Sequence, residues 1–196
     1  IKFAKLNAEI MVNTLKFYQD FPKKGIKFID IIPFLQDKAV FNQIIDRLVE
    51  FTTTPNVAAP EARGFLFASP LLVKSPTVTN VIPMRKSGKL PFNEGDLVEV
   101  RIEKEYGFDQ LYYRKSDIAA GTPTGDTFEI TLLDDVLATG GTAEGIAKSF
   151  EGMRIEVGGK SYGVKIKEFI FLVHLSDLDG KERLEKIAPV HTLMSI

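Results

Sequence analysis

The chain has 196 residues, 44% of them hydrophobic and 26% charged, which is the ordinary composition of a globular protein with one substantial core. Its 25 basic and 26 acidic side chains give a formal net charge of −1, so no overall charge draws it to nucleic acid or to an anionic membrane. The absence of cysteine excludes disulfides, thiolate metal sites and a thiol nucleophile, and two histidines are too few for a multi-histidine metal centre.

The sequence shows no segment with the hydropathy of a membrane span or a signal peptide. The longest uninterrupted aliphatic or aromatic run covers residues 169–173, far short of the roughly 20 residues that cross a bilayer. No signal-peptide pattern stands at the start. We therefore expect a single domain over residues 1–196, in an intracellular, cytoplasmic protein with neither membrane nor nucleic acid as a partner.

Two helices are predicted in the first quarter of the chain. Apolar residues at helical spacing extend from Leu6 to Tyr18, and this first helix must end before Pro22. Asp37 has the position of an N-cap for the second helix. Apolar residues at intervals of four give this second helix a wide buried face: Val40, Ile44 and Leu48.

Beyond this point, short buried strands alternate with helices. The predicted strands cover residues 56–59, 78–83, 128–133, 169–175 and 190–194. Helices are predicted over 64–74, where Pro70 must kink or shorten the helix, from Thr142, and over 180–187. This alternation predicts an α/β protein with a parallel sheet and helices on both faces.

Two segments look like antiparallel additions to that sheet. Val98, Val100 and Ile102 alternate with charged residues, as in a half-exposed strand, and residues 111–114 are suited to pair with them. Residues 154–167 contain the pair Gly158-Gly159 between alternating stretches, which predicts a hairpin. Of the two histidines, His174 lies in an apolar strand and is expected in the core, whereas His191 has the pattern of a surface or interface residue.

The most informative segment covers residues 130–142, where a buried strand ends in Asp134 and Asp135 and leads through a loop of small residues into a helix. In an open α/β sheet, ligands bind outside the carboxyl ends of the strands, and a helix N-terminus offers unpaired N–H groups to a phosphate. The candidate phosphate-binding residues are Ala138, Thr139, Gly140, Gly141 and Thr142. The two aspartates suit ribose hydroxyls or a hydrated Mg²⁺.

Other interpretations of nucleotide binding fit the chain less well. An acidic turn followed by a capped helix without a ligand is the structural alternative, but both acids, both glycines and both threonines must then coincide. Residues 159–161 look like the end of a P-loop, yet Arg154 stands where that motif requires glycine. No G-x-G-x-x-G occurs, so a kinase or a dinucleotide oxidoreductase has little support.

The segment over 130–142 resembles the phosphoribosyl pyrophosphate signature of type I phosphoribosyltransferases. Four further segments occur in the order of the adenine phosphoribosyltransferase family and resemble it: residues 21–31, which begin with Phe-Pro; Glu-Ala-Arg-Gly-Phe at 61–65; residues 85–91, which end in Lys-Leu-Pro; and Glu-Tyr-Gly at 105–107. The resemblance extends from about residue 17 to the C-terminus and includes 177–182.

This resemblance implies a fold and a reaction. The fold is a central, mostly parallel sheet flanked by helices, with an antiparallel flexible flap over 86–110 and an N-terminal hood over 1–35 that covers the base site. The reaction belongs to purine salvage: phosphoribosyl pyrophosphate and adenine give AMP and pyrophosphate. The resemblance also implies Mg²⁺, held mainly through substrate and water rather than by direct protein ligands, and a homodimer in which Arg85 serves the neighbouring site.

The family's roles carry over to matching positions of this chain. The pyrophosphate needs cations, and the matching ones are Arg63, Arg85, Lys86 and Lys89. A solvated surface turn remains the alternative for the last three. Glu105 would exchange a proton with purine N7 as N9 bonds to carbon, which makes Glu105 and Arg63 the candidate catalytic residues; the alternative for Glu105 is an exposed strand end.

Adenine would be bound by the N-terminal hood and the phosphate loop. Backbone groups of Ile26 and Lys27 would read its edge, Phe28 would stack on the ring, and Leu137 would cover the opposite face. Core packing is nearly as good an interpretation of Phe28 and Leu137. Asp30 is suited to cap a following turn.

Several positions depart from the family pattern, and two other functions compete. Pro60 stands in the pyrophosphate loop where the family has a smaller or aliphatic residue, and residues 121–126 and 154–167 look like insertions. A phosphoribosyltransferase for hypoxanthine, guanine or xanthine differs only at the base edge, which the sequence fixes poorly. A non-catalytic regulator that senses phosphoribosyl pyrophosphate and binds nucleic acid would need a recognition module or a basic face, and neither stands out.

Overall fold

The N-terminal segment differs from its prediction. The computed structural model describes residues 2–103 and 107–196. Helix α1, Lys2–Thr14, ends earlier than predicted, and the extension to Tyr18 is wrong. Tyr18 lies instead in strand β1, Lys16–Gln19, which pairs antiparallel with strand β2, Lys27–Asp30. Helical spacing continued into β1 by coincidence, whereas the pairing with β2 depends on residues about ten positions further along the chain.

Local signals define the next helices well. After a 3₁₀ turn, Ile32–Gln36, helix α2 covers Lys38–Phe51, and the Asp37 carboxylate accepts hydrogen bonds from the first free N–H groups of that helix. The predicted helix over 64–74 is divided at Pro70 into α3, Arg63–Ala68, and α4, Leu71–Lys74, which confirms the predicted break.

Five parallel strands form the central sheet, in the order β10-β9-β7-β3-β4. Their bounds are β3, Asn56–Pro60; β4, Asn80–Met84; β7, Thr127–Leu137; β9, Lys160–His174; and β10, Val190–Ser195. The remaining helices are α5, Lys115–Ala119; α6, Gly141–Ser149; and α7, Gly180–Glu185. Apolar clusters cover the sheet on both sides, so the predicted α/β architecture is confirmed.

The antiparallel additions are confirmed as well. Strand β5, Leu97–Glu103, pairs with β6, Phe108–Arg114, and strand β8, Ile155–Val157, folds back on β9. The inner face of the β5–β6 hairpin is buried in the core that α6 shares: Val100, Ile102, Leu111 and Tyr113. The hairpin is therefore packed against the body of the protein in this structure, and flap motion over 86–110 stays a prediction.

Two strands are longer than the sequence pattern indicated. Strand β7 continues through Leu137, so Asp134 and Asp135 lie within the end of the strand rather than after it. Strand β9 joins the predicted hairpin strand to the predicted buried strand because Glu168, only 3% exposed, accepts hydrogen bonds from Thr53 instead of ending the strand. A polar residue interrupts the apolar pattern there but not the backbone pairing.

The two histidines occupy different surroundings. His174 lies at the end of β9, where burial lowers the pKa of its ring. Its Nδ1 lies 3.4 Å from Ser195 Oγ, but its buried Nε2 has no hydrogen-bond partner among the described residues, so the expected core histidine is only half satisfied. The His191 ring is half-buried and stacks on Phe51 with 4.9 Å between ring centroids.

Within the described ranges, no helix combines the length and apolarity that a membrane span requires.

Candidate active site

The predicted phosphate loop forms a concavity at the carboxyl end of β7. Gly140 precedes α6 with a φ of 80°, a left-handed conformation that favours glycine, and the helix begins at Gly141. The concavity has a volume of about 100 Å³, and all five predicted loop residues line it, from Ala138 to Thr142. The free N–H groups of the first turn of α6 are therefore available to an anion of phosphate size.

The two aspartates at the end of β7 have different surroundings. Asp134 lines the phosphate concavity, and its Oδ1 accepts a hydrogen bond of 2.8 Å from the backbone N–H of Asp135. Burial and the neighbouring Asp135 charge raise the pKa of the Asp134 carboxyl well above its ordinary value. Asp135 is buried, and its Oδ2 lies 2.8 Å from Arg63 Nε in an ion pair without hydrogen-bond geometry.

A second cavity, of about 460 Å³, lies between the β5–β6 hairpin and the carboxyl edge of the sheet. Pro60, Asp134 and Thr142 line both cavities, so the two spaces adjoin. Lys86 and Glu61 contribute to the wall of the larger one. A ligand with two phosphorylated ends can therefore extend from the loop into the space under the hairpin.

Glu61, to which the sequence analysis gave no role, organises the predicted pyrophosphate cations. Its Oε1 accepts a hydrogen bond of 2.6 Å from the Lys86 backbone N–H and one of 3.3 Å from Arg85 Nε. Arg85 also donates to the Lys89 carbonyl at 3.0 Å. Its guanidinium is thus engaged within its own chain, and the side chains of Lys86 and Lys89 remain exposed.

Arg63 contacts the hood as well as the sheet. Its guanidinium carbon lies 5.4 Å from the centroid of the Phe28 ring, while its Nε pairs with Asp135. The Phe28 ring in turn meets the edge of Phe21 at 5.0 Å between centroids. The structure therefore brings the predicted base-stacking ring, the predicted pyrophosphate cation and one predicted diol acid together.

The other residues predicted to contact the base already have partners within the protein. Ile26 already donates its N–H to Lys23 and accepts from the Phe21 N–H, so a contact of its backbone with a base stays a prediction. Leu137 is only 1% exposed and packs in the core below the loop, and a base contact there likewise stays a prediction. Asp30 accepts from the Ile32 N–H at 3.0 Å, as a residue that caps a following turn does.

An apolar cleft beside the hood escaped the sequence analysis. It has a volume of about 250 Å³ and lies where the loop after β9 faces β2; its lining includes Phe17, Lys27, Ile29, Leu175 and Leu178. Leu175 donates its N–H to the Leu137 carbonyl at 3.0 Å, which holds this loop beside the end of β7. No local pattern could have revealed the cleft, because its walls come from opposite ends of the chain.

Glu105 lies outside the described residues. Within the part of the chain that the structure describes, no three His, Asp or Glu side chains are grouped to hold a metal ion. The carboxylates of Asp134 and Asp135 and the hydroxyl-bearing loop are oxygen ligands, the kind that Mg²⁺ prefers. These residues therefore fit an ion that arrives with a phosphorylated ligand and keeps much of its water.

Comparisons with known proteins identify relatives of this chain. No family model matches the chain. The adenine phosphoribosyltransferase of Clostridium botulinum (strain Hall) is 37% identical over 174 residues, which cover 87% of this chain and 90% of the relative. That of Thermoanaerobacter pseudethanolicus is 40% identical over 169 residues, or 85% of this chain and 86% of the relative.

Solved structures of adenine phosphoribosyltransferases are also similar to this chain. The crystal structure of the Thermoanaerobacter pseudethanolicus enzyme matches with a TM-score of 0.78 and 35% identity, over 96% of this chain and 99% of that one. The Saccharomyces cerevisiae enzyme, solved with an imino-altritol bisphosphate and adenine, matches with a TM-score of 0.75 and 28% identity, over 96% and 99% of the two chains. By its fold, the protein is a phosphoribosyltransferase of type I.

The sequence identity to these relatives over most of both chains also shows the family within this class. The chain belongs to the adenine phosphoribosyltransferase family. These enzymes are pentosyltransferases of purine salvage, and their reaction converts adenine and phosphoribosyl pyrophosphate to AMP and pyrophosphate.

Proposed function

We propose that the carboxyl edge of the sheet carries out this reaction by holding the phosphoribosyl group between the phosphate loop and the hairpin. The observation that carries the proposal is the adjoining pair of cavities that Asp134 and Thr142 both line. The 5′-phosphate binds at the start of α6, and the ribose hydroxyls donate to Asp134 and Asp135. The pyrophosphate then extends into the larger cavity under β5–β6.

The chemistry requires charge stabilisation more than covalent help. As the bond between C1′ and pyrophosphate breaks, positive charge develops on the ribosyl group and negative charge on the leaving group. Lys86 lines the larger cavity, and Glu61 fixes the backbone that carries it. Arg63, Arg85 and Lys89 are assigned the remaining contacts with pyrophosphate, and Arg63 must then exchange its pairing with Asp135 for the substrate.

Adenine enters from the hood side, where Phe28 is assigned to stack on the ring and the Lys27 backbone to read its edge. The Phe28 ring, which lies 5.4 Å from the guanidinium carbon of Arg63, supports a flat occupant at this side of the site. Glu105 is assigned the proton exchange with purine N7, on the basis of the family's Glu-Tyr-Gly segment alone. Closure of the hairpin over the site would exclude water, which competes with adenine for the ribosyl group.

Mg²⁺ is the proposed cofactor, bound through the substrate and water next to Asp134 and Asp135. When bound, it neutralises part of the charge on the pyrophosphate. A homodimer in which Arg85 serves the neighbouring site, and a cytoplasmic location, are further proposals that rest on the family resemblance. For the same reason we propose no nucleic acid and no membrane as partners.

The decisive experiment is mass-spectrometric detection of AMP after incubation of the protein with adenine, phosphoribosyl pyrophosphate and Mg²⁺. Initial rates with hypoxanthine and guanine in place of adenine test the choice of base. We expect AMP to form fastest and to require Mg²⁺. If adenine were the poorest of the three bases, the proposed substrate would be wrong while the phosphoribosyl site would stand.

A further inference from the structure

Helix α7 lies directly behind the phosphate loop. Gly180, its first residue, is packed so closely that a Cβ there would overlap the carbonyl oxygen of Ala138 and lie 3.0 Å from the carbonyl carbon of Thr139. Because both are backbone atoms of the loop, no side-chain movement could relieve the overlap. This approach brings the next turn of α7 to the loop as well.

Arg183, one turn further along α7, joins the two ends of the loop. Its Nε lies 2.6 Å from Glu144 Oε2, and its Nη2 donates to Glu144 Oε1 at 3.1 Å. Its Nη1 donates to the carbonyl of Thr139 at 3.3 Å. Thr139 precedes the two glycines, and Glu144 lies in the first turn of α6, so one guanidinium spans the phosphate-binding turn.

Glu144 presents an electrostatic difficulty to an anion in this loop. A carboxylate in the first turn favours the helix itself but repels a phosphate at the same terminus. Hydrogen bonds from Arg183 and Lys148 lower the pKa of Glu144 to about 2, so the carboxylate is charged at neutral pH. Among the described residues, Arg183 and Lys148 are the cations paired with this charge.

Arg183 reaches the loop beside the phosphate concavity rather than from its lining. It lines a neighbouring cavity of about 370 Å³ together with Arg101 and Lys148, and Gly141 lines both cavities. Its hydrogen bonds to this region go to Thr139 and Glu144, so we expect Arg183 to affect a bound phosphate mainly through these two residues.

We propose that Arg183, seated by the close approach of Gly180, is a positioning residue for the 5′-phosphate: it holds the loop across Thr139 and Glu144 and neutralises the Glu144 carboxylate. This inference rests on the proposed function, in which the loop binds that phosphate. It assigns to the Asp-Gly-Lys-Glu-Arg segment of α7 a role in phosphate affinity, although this segment lies about 40 residues beyond the loop.

Calorimetric binding of AMP and of adenosine, which lacks the phosphate, tests this role. In Arg183→Gln we expect the Kd of AMP to rise about tenfold, since a charged hydrogen-bond partner is lost, and that of adenosine to change less than about twofold. The double variant Glu144→Gln/Arg183→Gln should recover most of the AMP affinity, because the unbalanced carboxylate is then gone. Lys148→Gln, which removes the other cation of Glu144 without touching Thr139, is the matched control and should weaken AMP binding less.

Three outcomes would overturn the inference: an unchanged Kd for AMP in Arg183→Gln, an equal loss for AMP and adenosine, or a double variant no better than the single one. Failure of the proposed function looks different. If the unmodified protein bound AMP no more tightly than adenosine, the phosphate site itself would be refuted, and this inference with it. Thermal unfolding of each variant confirms that the folded protein is being compared.

Discussion

The two edges of the central sheet both carry polar groups, but they differ in how fully these groups are hydrogen-bonded within the described chain. At the amino edge, the fully buried Asn56 donates to the Thr122 and Glu129 carbonyls at 2.8 and 3.1 Å and accepts from the Thr122 N–H at 3.1 Å. At the carboxyl edge, Asp135 Oδ2 receives no hydrogen bond from the described residues. Internal hydrogen bonds stabilise the first edge; at the second, Asp135 is ion-paired with Arg63, and we propose that a ligand takes up the acids.

The amino edge also explains a segment that looked like an insertion. The turn-rich residues 121–126 are held to the sheet by Asn56 through both polar atoms of its side chain. Nearby, Thr54 and Thr131 share a hydrogen bond of 2.8 Å between their hydroxyls, and Thr53 donates to Glu168. The extra length of this turn therefore covers and satisfies the end of the sheet that faces away from the site.

At the carboxyl edge, a buried acid lowers the stability of the fold instead of raising it. Burial and the Asp135 charge raise the pKa of Asp134, so its ionised form is disfavoured in the folded protein. The resulting loss of stability sets in as the pH rises above 3.8, the ordinary pKa of the group. We therefore expect substitutions at the carboxyl edge to lower activity without lowering stability. Substitutions at the amino edge should lower stability without lowering activity.

The largest effect is expected from Asp134→Asn combined with Asp135→Asn. We expect kcat/KM to fall by at least about 100-fold, because each hydrogen bond from a sugar hydroxyl to a carboxylate contributes roughly 2 kcal/mol. Steady-state kinetics with phosphoribosyl pyrophosphate as the varied substrate measures the loss. Unfolding of the double variant under the same conditions would instead indicate that the acids are structural.

Asp134→Asn alone sharpens this test. At pH 7 its unfolding midpoint should be at least that of the unmodified protein, and the difference should shrink as the pH falls to 3.8. A variant that is less stable at pH 7 than at pH 4, relative to the unmodified protein, would contradict the raised pKa.

At the opposite edge, Asn56→Ala should lower the free energy of unfolding by about 2 kcal/mol, because it removes the three hydrogen bonds that this fully buried side chain makes to the backbone of residues 122 and 129. Urea denaturation measures this change, and kcat/KM of the folded variant should stay unchanged. Asn42→Ala, whose hydrogen bonds are exposed, is the control and should cost no more than about 0.5 kcal/mol.

A glycine at each edge allows a closer comparison. Gly180→Ala should lower kcat/KM about tenfold, because the added methyl group displaces the phosphate loop. Gly163→Ala, in β9 opposite Thr127 at the start of β7, adds a methyl group at ordinary contact distances of 3.5 and 3.6 Å from Arg154 Nη1 and Thr127 Oγ1, and should leave kcat/KM unchanged. Equal kinetic losses in the two variants would contradict the difference between the edges.

The smallest effect concerns Glu144→Gln and its pH dependence. The pKa of Glu144 is lowered from 4.5 to about 2, so its pairing stabilises the folded state above pH 4.5 and is lost as the pH falls toward 2. We expect the variant to be less stable by about 1 kcal/mol or less at pH 7, because Arg183 and Lys148 are largely exposed. A difference that stays constant between pH 7 and pH 2 would contradict this assignment.

The parts of the fold that sequence could predict depend on neighbours along the chain. The Asp37 cap and the break at Pro70 each act within a few residues, and each is found as predicted. The phosphate loop and its acids were predictable for the same reason, because strand, acids, loop and helix are contiguous.

The missed parts depend on contacts between distant segments. The helical spacing that continued to Tyr18 gave no sign of the pairing between β1 and β2. Nothing near Glu168 indicated that Thr53 would satisfy it inside β9. The contacts of Arg183 with Thr139 and Glu144 join segments about 40 residues apart, and neither segment carries a local signal for the other.

The packing of α6 against β5 has a consequence for engineering this protein. A Cβ at Gly145 would lie 3.3 Å from the Arg101 carbonyl and 3.4 Å from Ile102 Cγ1, so the helix that starts at the phosphate loop and the first hairpin strand touch almost backbone to backbone. Chimeras that import the hairpin of a relative must therefore import the matching helix surface too. The two segments form one exchangeable module, whose seam at Gly145 admits a side chain only if its neighbours shift.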